Sequence, residues 1–260
     1  RKESSAASDV YKRQGDKMAM IFQEPMTSLN PAYSIGNQLM EAMLRHKKIS
    51  RGAARDRAVE LLQKVGIKDA ENRLRQFPHQ LSGGLRQRVM IAMALMCDPD
   101  LIIADEPTTA LDVTIQAQIL SLLKELQDDL GMGLLLITHD MGVVARMADR
   151  VAVMYAGRIV EEGTVHQVFA NANHPYTKGL MSCIPVPGKI KRGDPLGTIP
   201  GIVPSLVGDF SGCRFRTRCP FSEDICAIEE PNLIHKDLEK RHSSACPVSY
   251  THLTLPTTPY

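Results

Sequence analysis

Short apolar runs alternate along the chain with longer segments of helical period. Apolar residues fill Met18–Phe22, Leu101–Ala104 and most of Gly133–Thr138, and each run is short enough to be a buried strand. The second run follows Asp98-Pro99, a pair that disfavours continuation of a preceding helix. Because strands that alternate with helices build parallel sheets, the pattern predicts an α/β fold.

The helical segments between these runs have recognisable ends. From Ile35 to Asp98 apolar residues recur every three or four positions. One helix in this interval can begin at Ser50, a favourable N-cap, and stop at Gly66. Another can begin after Asp112 and end at Gly131. Helices are therefore expected to cover most of the sequence between the predicted strands.

The last third of the chain is organised differently. Two short apolar runs, Val151–Met154 and Arg158–Val160, flank Tyr155-Ala156-Gly157. They predict a hairpin that closes the sheet and ends at Glu161-Glu162-Gly163. Between residues 185 and 204, prolines and glycines are too frequent for regular helix or central strand. We expect an extension wrapped on the main domain, or a linker to a small module.

Composition narrows the class of protein. A chain of 260 residues suffices for one main domain plus a small one. The formal net charge of +2 gives no argument for binding nucleic acid. No run approaches about 18 apolar residues, and no secretory signal is recognisable. Six cysteines without an export signal indicate a reducing compartment, where thiols stay free or bind metal.

Two adjacent carboxylates, Asp105 and Glu106, follow the apolar run that starts at Leu101. Ligands bind at the carboxyl ends of strands in open α/β sheets. Since neighbouring strand residues point to opposite sides, the two acids can do different work. One can hold Mg²⁺, and the other can orient or deprotonate a water that attacks a phosphoryl group.

Ser82-Gly83-Gly84 predicts a phosphate site. Two glycines let the backbone approach an anion closely, and the helix that they open offers unpaired N–H groups and the positive end of its dipole. The serine hydroxyl can add a hydrogen bond. A lone Ser-Gly-Gly is more often a simple turn, so this interpretation depends on the motifs that follow.

Three motifs in this order resemble the nucleotide-binding domain of ABC transporters. Leu81-Ser82-Gly83-Gly84 followed by Arg86-Gln87-Arg88 resembles the signature motif, Asp105-Glu106 the Walker B strand end, and Ala110-Leu111-Asp112 the D-loop. Leu85 departs from the family pattern, because many members carry glutamine there. The resemblance implies a P-loop NTPase-like α/β fold with a helical subdomain at about residues 35–98.

The resemblance also implies roles at one ATP site. Glu106 would be the general base, and Asp105 would bind Mg²⁺. Gln23, at the end of the first apolar run, resembles the Q-loop glutamine that reaches Mg²⁺ and water. His139, after the run Gly133–Thr138, resembles the switch histidine that contacts the γ-phosphate and holds the catalytic glutamate. ATP and Mg²⁺ are therefore the expected cofactors.

A second ATPase subunit is implied by the same resemblance. ATP would lie between the Walker A loop of one subunit and Ser82–Gly84 of the other, and Asp112 would couple the two sites. The dimer could be a homodimer or a heterodimer. Two transmembrane permease subunits and, indirectly, an extracytoplasmic solute-binding protein would complete the transporter. The chain would then be peripheral, on the cytoplasmic face of the cell membrane.

The ends of the chain do not continue the family pattern. Residues 1–14 and 248–260 resemble translated linker sequence and are excluded from the fold prediction. No Gly-x-x-x-x-Gly-Lys-[Ser/Thr] occurs in the 260 residues, so we expect the amino-terminal part of the domain to be missing. The predicted domain boundaries are 15–170 for the nucleotide-binding domain and 171–247 for a carboxyl-terminal extension. An inert fragment that only offers its signature motif to a partner stays open as an alternative.

His174–Leu180 begins a segment that most ABC domains lack. It resembles the dipeptide and oligopeptide permease branch, which includes nickel importers. The resemblance implies an ATP-hydrolysing subunit that powers peptide uptake, and nickel or another small solute stays open as the alternative.

Four cysteines follow with the spacing Cys213-x5-Cys219-x6-Cys226-x19-Cys246. Four thiolates can ligate a [4Fe–4S] cluster or a tetrahedral zinc ion. Relatives in the peptide-permease branch carry such a set, and some hold an iron–sulfur cluster, so the resemblance favours the cluster over zinc or free thiols. Cys183 lies outside the pattern, and Cys97 is expected to be a buried structural thiol.

Overall fold

The structure of the chain, a computed structural model, describes residues 13–109, 111–184, 197–205, 211–237 and 242–248. The chain divides into two compact units, residues 1–139 and 140–260. The predictions for Ala110, for residues 1–12 of the leader and for residues 249–260 of the tail lie outside the described residues. The predicted domain boundary at residue 170 does not coincide with this division.

A parallel three-stranded sheet forms the centre of the first unit. Its strands are β1 (Met18–Ile21), β2 (Leu101–Asp105) and β3 (Gly133–Ile137), in the order β1-β2-β3. Leu101 of β2 lies opposite Met18 on one side and opposite Gly133 on the other. All three carboxyl ends therefore lie at one edge of the sheet, as the alternation of strands and helices predicts.

One expectation for this sheet is wrong, because β3 is not a buried strand. The side chains of Leu135 and Ile137 are 52% and 45% exposed. Among the described strands β3 has a single neighbour, β2, and its side chains alternate between the two faces. An apolar run is typical of a buried strand, but here alternate residues of the run face solvent.

The described residues of the first unit form six α-helices, and the helices from Ile35 onward lie in the segments that the sequence predicts to be helical. The six helices are α1 (Pro25–Ser28), α2 (Ile35–His46), α3 (Arg51–Lys64), α4 (Ala70–Arg73), α5 (Gly83–Leu95) and α6 (Val113–Leu130). Ser50 and Asp112 cap α3 and α6, since each side chain accepts a hydrogen bond from the backbone N–H three residues on. Gly131 ends α6 in the left-handed region, with φ of 62°.

The core of the first unit lies between these helices and the sheet. Its largest fully buried side chains are Ile21, Leu29, Ile35, Leu39, Leu61, Leu62, Ile91, Leu95, Met96, Ile102, Ile119 and Leu123. Each stabilises the fold by about 1.5–3 kcal/mol relative to exposure. Cys97 is also buried, as predicted, and desolvation raises the pKa of its thiol.

The second unit contains a separate antiparallel sheet. Its strands are β4 (Arg150–Tyr155), β5 (Arg158–Thr164), β6 (Ile234–Asp237) and β7 (His242–Ser244), in the order β4-β5-β7-β6. The predicted hairpin is present, and its turn residues Ala156 and Gly157 have φ of 47° and 78°. This two-residue turn with positive φ fits the twist of the flanking strands.

The predicted position of the hairpin is wrong. Among the described strands the hairpin belongs to the antiparallel sheet and not to the parallel one, and β5 continues through Glu161-Glu162-Gly163 to Thr164. The reason is a partner that the sequence pattern does not indicate: Glu161 and Glu162 pair with Ser244 and Ser243 of β7. The hairpin and the carboxyl-terminal extension therefore form one sheet.

Short helices and one apolar cluster complete the second unit. The helices are α7 (Met141–Met147), α8 (Val165–Ala170), α9 (Pro175–Ser182) and α10 (Ile225–Ile228). Val153, Val160 and Val168 pack in one core with Phe215 and Val248 of the extension. No helix of the residues that the structure describes is both long and apolar enough to cross a membrane.

A buried carboxylate joins the extension to the hairpin. Glu161 is fully buried, and it accepts hydrogen bonds from the backbone N–H of Asn173 at 2.7 Å and of His174 at 2.9 Å. Its Oε1 also lies 2.7 Å from Nε2 of His242. Because a buried charge without partners is costly, these three contacts fix β5, the loop before α9 and β7 together.

Candidate functional site

Glu106 directly follows β2, at the edge of the sheet where the strands end. Its backbone lies in the left-handed region, with φ of 43°, and its N–H donates to the Ile137 carbonyl oxygen at 2.9 Å. A left-handed conformation costs a non-glycine residue about 1–2 kcal/mol. The hydrogen bond to the end of β3 helps to hold this unfavourable backbone in place.

Three side chains hold the Glu106 carboxylate. Gln23 Nε2 donates to Oε2 at 2.8 Å, and Thr109 Oγ1 donates to the same oxygen at 2.8 Å. His139 Nδ1 lies 2.8 Å from Oε1. The sequence predicts three of these four residues at the site, and the structure brings Gln23, Glu106 and His139 together. Both carboxylate oxygens are therefore engaged.

The environment favours the ionised form of Glu106. The hydrogen bond from His139, followed by the one from Thr109, lowers the pKa of this carboxyl below its ordinary value of 4.5. An ionised carboxylate can only accept, so the proton shared by His139 and Glu106 belongs on Nδ1 of the imidazole. At neutral pH the site therefore presents a negatively charged base held by three donors.

Thr109 is the site residue that the sequence prediction missed. It lies in a turn after Glu106-Pro107, where its N–H donates to the Glu106 carbonyl oxygen at 3.0 Å. A hydroxyl three residues after a carboxylate, with proline between them, is the sequence signal for such a turn. The turn returns the Thr109 hydroxyl to the Glu106 side chain.

Asp105 is the last residue of β2 and is partly exposed. Its side chain makes no hydrogen bond to any residue that the structure describes, in contrast to Glu106. Carboxylate oxygens without other partners suit Mg²⁺, which keeps several waters and takes one or two protein carboxylates. The predicted division of labour between Asp105 and Glu106 stays a prediction.

Ser82-Gly83-Gly84 lies at the start of α5, as predicted. Ser82 occupies the N-cap position, but its side chain does not cap the helix. A Cβ on Gly84 would lie 3.2 Å from Cγ2 of Ile115 in α6, so the glycine allows α5 and α6 to approach closely. The exposed Ser82 hydroxyl and the first N–H groups of a 13-residue helix suit an anion.

Asp112 has an architectural role in the structure. Its Oδ1 accepts a hydrogen bond from the Ile115 N–H at 2.9 Å and so caps α6. The role in coupling two ATP sites, which the resemblance implies, stays a prediction.

The four cysteines of the extension lie in or against the core of the second unit. Cys213, Cys226 and Cys246 are buried, and Cys219 is partly buried. The Cys213 N–H donates to the Cys226 carbonyl oxygen at 2.8 Å, which joins two of the cysteine segments. All carry thiols rather than disulfides. Among the described residues, no three or more His, Cys, Asp or Glu side chains converge as a metal site.

Backbone N–H groups nevertheless point at three of these sulfurs. Phe215 donates to the sulfur of Cys213, Phe221 to that of Cys219, and Val248 to that of Cys246. Each of these donors lies two residues after its cysteine, and the Arg216 N–H is a second donor to Cys213. Burial is the larger influence and raises the pKa of all three thiols, that of Cys246 to about 11. The metal-free thiols are therefore protonated at neutral pH.

Comparison with known proteins decides the family. Residues 2–109 match the ABC transporter family, and residues 160–226 match the oligopeptide/dipeptide transporter C-terminal region. An oligopeptide transport ATP-binding protein of Bacillus subtilis strain 168 is 53% identical over 235 residues, which cover 90% of this chain and 71% of that protein. The chain belongs to the ABC transporter family.

Other relatives of this ABC transporter chain agree. A dipeptide transport ATP-binding protein of the same Bacillus strain is 55% identical over 212 residues, covering 82% of this chain and 63% of that protein. A dimeric, post-hydrolysis ATP-binding cassette bound to ADP and phosphate superposes with a TM-score of 0.54 at 29% identity, covering 62% of this chain and 68% of that one. A component of an ABC transporter complex from Clostridium perfringens gives 0.55 at 29% identity, covering 65% and 64%.

Membership confirms several predictions. The fold is that of an ABC ATPase cassette, and ATP with Mg²⁺ are the cofactors of this family. The residues that would hold the ion, Asp105 and Gln23, lie at the carboxyl ends of neighbouring parallel strands. Their oxygen atoms match the ligands that Mg²⁺ prefers.

Proposed function

We propose that this chain is an ATP-binding, ATP-hydrolysing subunit of a peptide-type ABC importer. The observation that carries the proposal is the Glu106 carboxylate, held at 2.8 Å by Gln23, by Thr109 and by His139. Relatives named for oligopeptide and dipeptide transport supply the solute class. The match of residues 160–226 to the oligopeptide/dipeptide transporter C-terminal region supports the same branch.

Glu106 would act as the general base. It takes a proton from water while the water oxygen forms a bond to the γ-phosphorus and the bond to ADP breaks. The three donors fill three of the about four acceptor positions of the carboxylate, so Oε1, which His139 contacts, can also accept a hydrogen bond from that water. Gln23 lies in the loop after β1, so its amide could also turn from Glu106 toward Mg²⁺ or the water.

His139 and Thr109 would keep Glu106 in position during the proton transfer. They come from the end of β3 and from the turn after β2, so each contacts the carboxylate from a different segment. Preorganised donors of this kind avoid the cost of reorienting groups during the reaction. Asp105 would hold Mg²⁺, which would stabilise the negative charge that develops on the phosphates.

A second ATPase subunit would complete the site. Ser82–Gly84 would face ATP held by the Walker A loop of the partner, and two permease subunits would convert closure of the dimer into transport. The chain would work at the cytoplasmic face of the membrane. A solute-binding protein on the other side would deliver the solute and contact this chain only through the permease subunits.

The test uses a chimera that supplies a Walker A loop. In the chimera, the amino-terminal segment of the Bacillus subtilis oligopeptide transport protein, which in this family carries that loop, is fused in front of Gly15 of this chain. Glu106→Gln is expected to lower kcat for ATP hydrolysis by about 10²–10⁴-fold while ATP binding persists. Glu125→Gln, an exposed change on α6, is the matched control and should leave kcat unchanged. No hydrolysis by the parent chimera, or equal rates for both variants, would refute the proposal.

Two further measurements address the alternatives. Uptake of labelled di- and oligopeptides, compared with uptake of nickel, in cells that express the chimera with the permease subunits identifies the solute class. Titration of the 260-residue chain with a fluorescent ATP analogue, alone and with a partner ATPase, distinguishes a chain that binds ATP by itself from one that only offers its signature motif. Binding of the ATP analogue only in the presence of the partner would favour the second alternative.

We further propose that the four-cysteine module of the extension holds a [4Fe–4S] cluster, with zinc as the alternative. The N–H groups directed at Cys213, Cys219 and Cys246 support this, because such bonds stabilise metal-bound thiolates. The module is small, and a metal would supply stability that its short strands cannot. Each thiol would lose its proton on binding, and the side chains would have to converge from the arrangement seen here.

Anaerobic purification of the chain tests this module. Visible absorbance with stoichiometric iron and sulfide supports the cluster, and a colourless protein with one zinc per chain supports the alternative. Cys213→Ser should lower the metal content, whereas Cys183→Ser should not. A metal-free protein after anaerobic purification would refute both occupants.

A further inference from the structure

Gln87 is a buried glutamine in the signature helix α5, with an exposure of 1%. Its Nε2 donates a hydrogen bond to the carbonyl oxygen of Pro107 at 2.6 Å. Pro107 is itself buried and directly follows Glu106. A buried carbonyl that loses its donor pays the cost of desolvation, so this contact strongly favours one position of α5 against the turn.

A second glutamine, on helix α6, holds the same turn. Gln116 of α6 donates through Nε2 to the carbonyl oxygen of Thr108 at 3.2 Å and to that of Leu111 at 3.1 Å. Together, the glutamines of α5 and α6 donate hydrogen bonds to the carbonyl oxygens of Pro107, Thr108 and Leu111. The turn also carries Thr109, one of the side chains that hold Glu106.

The hydrogen bond between Gln87 and Pro107 connects the signature motif to Glu106. Gln87 lies three residues after Gly84, which is about one helical turn from the end of α5 that would face the nucleotide of the partner. A helix turn is stiff, so a displacement of Ser82–Gly84 moves Gln87 with it. The hydrogen bond then passes that movement to Pro107 and so to Glu106.

We infer that Gln87 is a positioning residue that makes the placement of Glu106 depend on the placement of the signature helix. The inference rests on the proposed ATPase function. It concerns residues of the first unit alone, and it assigns to Gln87 no contact with ATP. Binding of the partner's ATP at Ser82–Gly84 would thereby adjust the position of Glu106 in the chain's own ATP site.

Amide hydrogen exchange on the printed chain is the first test. Gln87→Met keeps the length of the side chain and removes the donor. Exchange at the Glu106 and Thr109 N–H groups should become about tenfold faster, because the turn loses one of its supports. Exchange at Ile115, which Asp112 caps independently, should not change.

Gln38→Met is the matched control for loss of a buried glutamine. Gln38 in α2 donates to the carbonyl oxygens of Asn30 at 3.0 Å and Tyr33 at 2.9 Å, in another loop of the same unit. It should lower Tm as Gln87→Met does, yet leave exchange at Glu106 and Thr109 unchanged. Equal exchange at these amides in parent, Gln87→Met and Gln38→Met chains would overturn the inference.

Kinetics of the chimera are the second test. Gln87→Met should lower kcat about tenfold and leave KM for ATP within about twofold, because only the placement of the base is disturbed. Gln87→Glu should lose activity at high pH and recover as the pH falls. Burial raises the pKa of a carboxyl, and only its protonated form can donate to the Pro107 carbonyl oxygen as the amide does.

The outcomes separate the two proposals. A parent chimera without ATPase activity refutes the proposed function. Hydrogen exchange on the 260-residue chain still tests whether Gln87 supports the turn that carries Glu106 and Thr109. An active chimera in which Gln87→Met retains the parent kcat refutes the role of Gln87. So does a pH profile of Gln87→Glu that parallels that of Gln87→Met.

Discussion

His139 Nδ1 and Glu106 Oε1 lie 2.8 Å apart although 33 residues separate them in the sequence. The contact arises because β2 and β3 are parallel neighbours and both residues follow the carboxyl ends of these strands. His139 is 79% exposed at its side chain and Glu106 is 23% exposed, so the imidazole covers the carboxylate from the solvent side.

Removal of this imidazole should change the pH dependence of hydrolysis. His139 is the largest influence that lowers the pKa of Glu106, so His139→Ala should raise that pKa toward 4.5. The base works when ionised, and the acidic limb of the kcat profile should therefore move to higher pH. A fall in kcat of about tenfold or more is expected at neutral pH. An unchanged acidic limb in the chimera would contradict the assigned contact.

Thr109 should matter through its hydroxyl alone. Thr109→Val preserves the shape of the side chain and removes the donor to Glu106, at a cost of about 1 kcal/mol in the placement of the carboxylate. Thr109→Ser keeps the hydroxyl and is the control. The ATPase rate of the chimera should fall several-fold in the valine variant and stay near the parent rate in the serine variant. Equal losses would point to packing of the threonine methyl group instead.

Gly84 and Ile115 should be energetically coupled. A Cβ at residue 84 would lie 3.2 Å from Cγ2 of Ile115, tighter than ordinary contact, so Gly84→Ala presses on α6. Ile115→Ala removes the obstructing group. Urea unfolding of the parent, the two single variants and the double variant gives the free energy of unfolding of each. Gly84→Ala should destabilise the Ile115→Ala chain less than it destabilises the parent, by about 0.5 kcal/mol or more. Strict additivity would contradict the close approach.

His174 should make the second unit sensitive to acid. Burial lowers the pKa of this imidazole from 6.5 to about 4, and its Nδ1 accepts the Tyr176 N–H at 3.1 Å, which requires a neutral ring. The unfolded chain binds a proton below pH 6.5, whereas the folded chain does not until about pH 4. Stability is therefore complete above pH 6.5 and falls between pH 6.5 and about 4, by on the order of 3 kcal/mol.

The control for this prediction is His174→Asn, which can still cap α9. Urea unfolding at several pH values between 4 and 7 should show a smaller loss of stability in this variant than in the parent chain. Other groups titrate in both chains, so the difference between the two profiles isolates His174. Parallel profiles would show that the imidazole is not buried in its neutral form.

Parts of the fold and of the site could be predicted because they depend on local pattern. Ser50 and Asp112 are polar caps beside apolar periodicity, and the structure confirms both. Gln23, Glu106 and His139 each follow a predicted strand, and parallel pairing alone brings them to one edge of the sheet.

Other features could not be predicted because they depend on contacts distant in sequence. Strands β6 and β7 have four and three residues, too few to show alternation, so the sequence predicts the hairpin of the second sheet and not these two strands. Gln87 is one of several polar residues in its segment, and only the packing of α5 shows that it is buried. The exposure of Leu135 depends on which strands flank β3, which an apolar run does not encode.

The pairing of β5 with β7 limits how this protein can be recombined with other transporters. A cut near residue 170 separates Glu161 from His242 and leaves an unpaired strand edge with a buried charge. The fragments on either side of such a cut would tend to aggregate. Exchange of carboxyl-terminal regions between family members should therefore transfer residues 140–248 as a block, since β5 of the hairpin pairs with β7 of the extension.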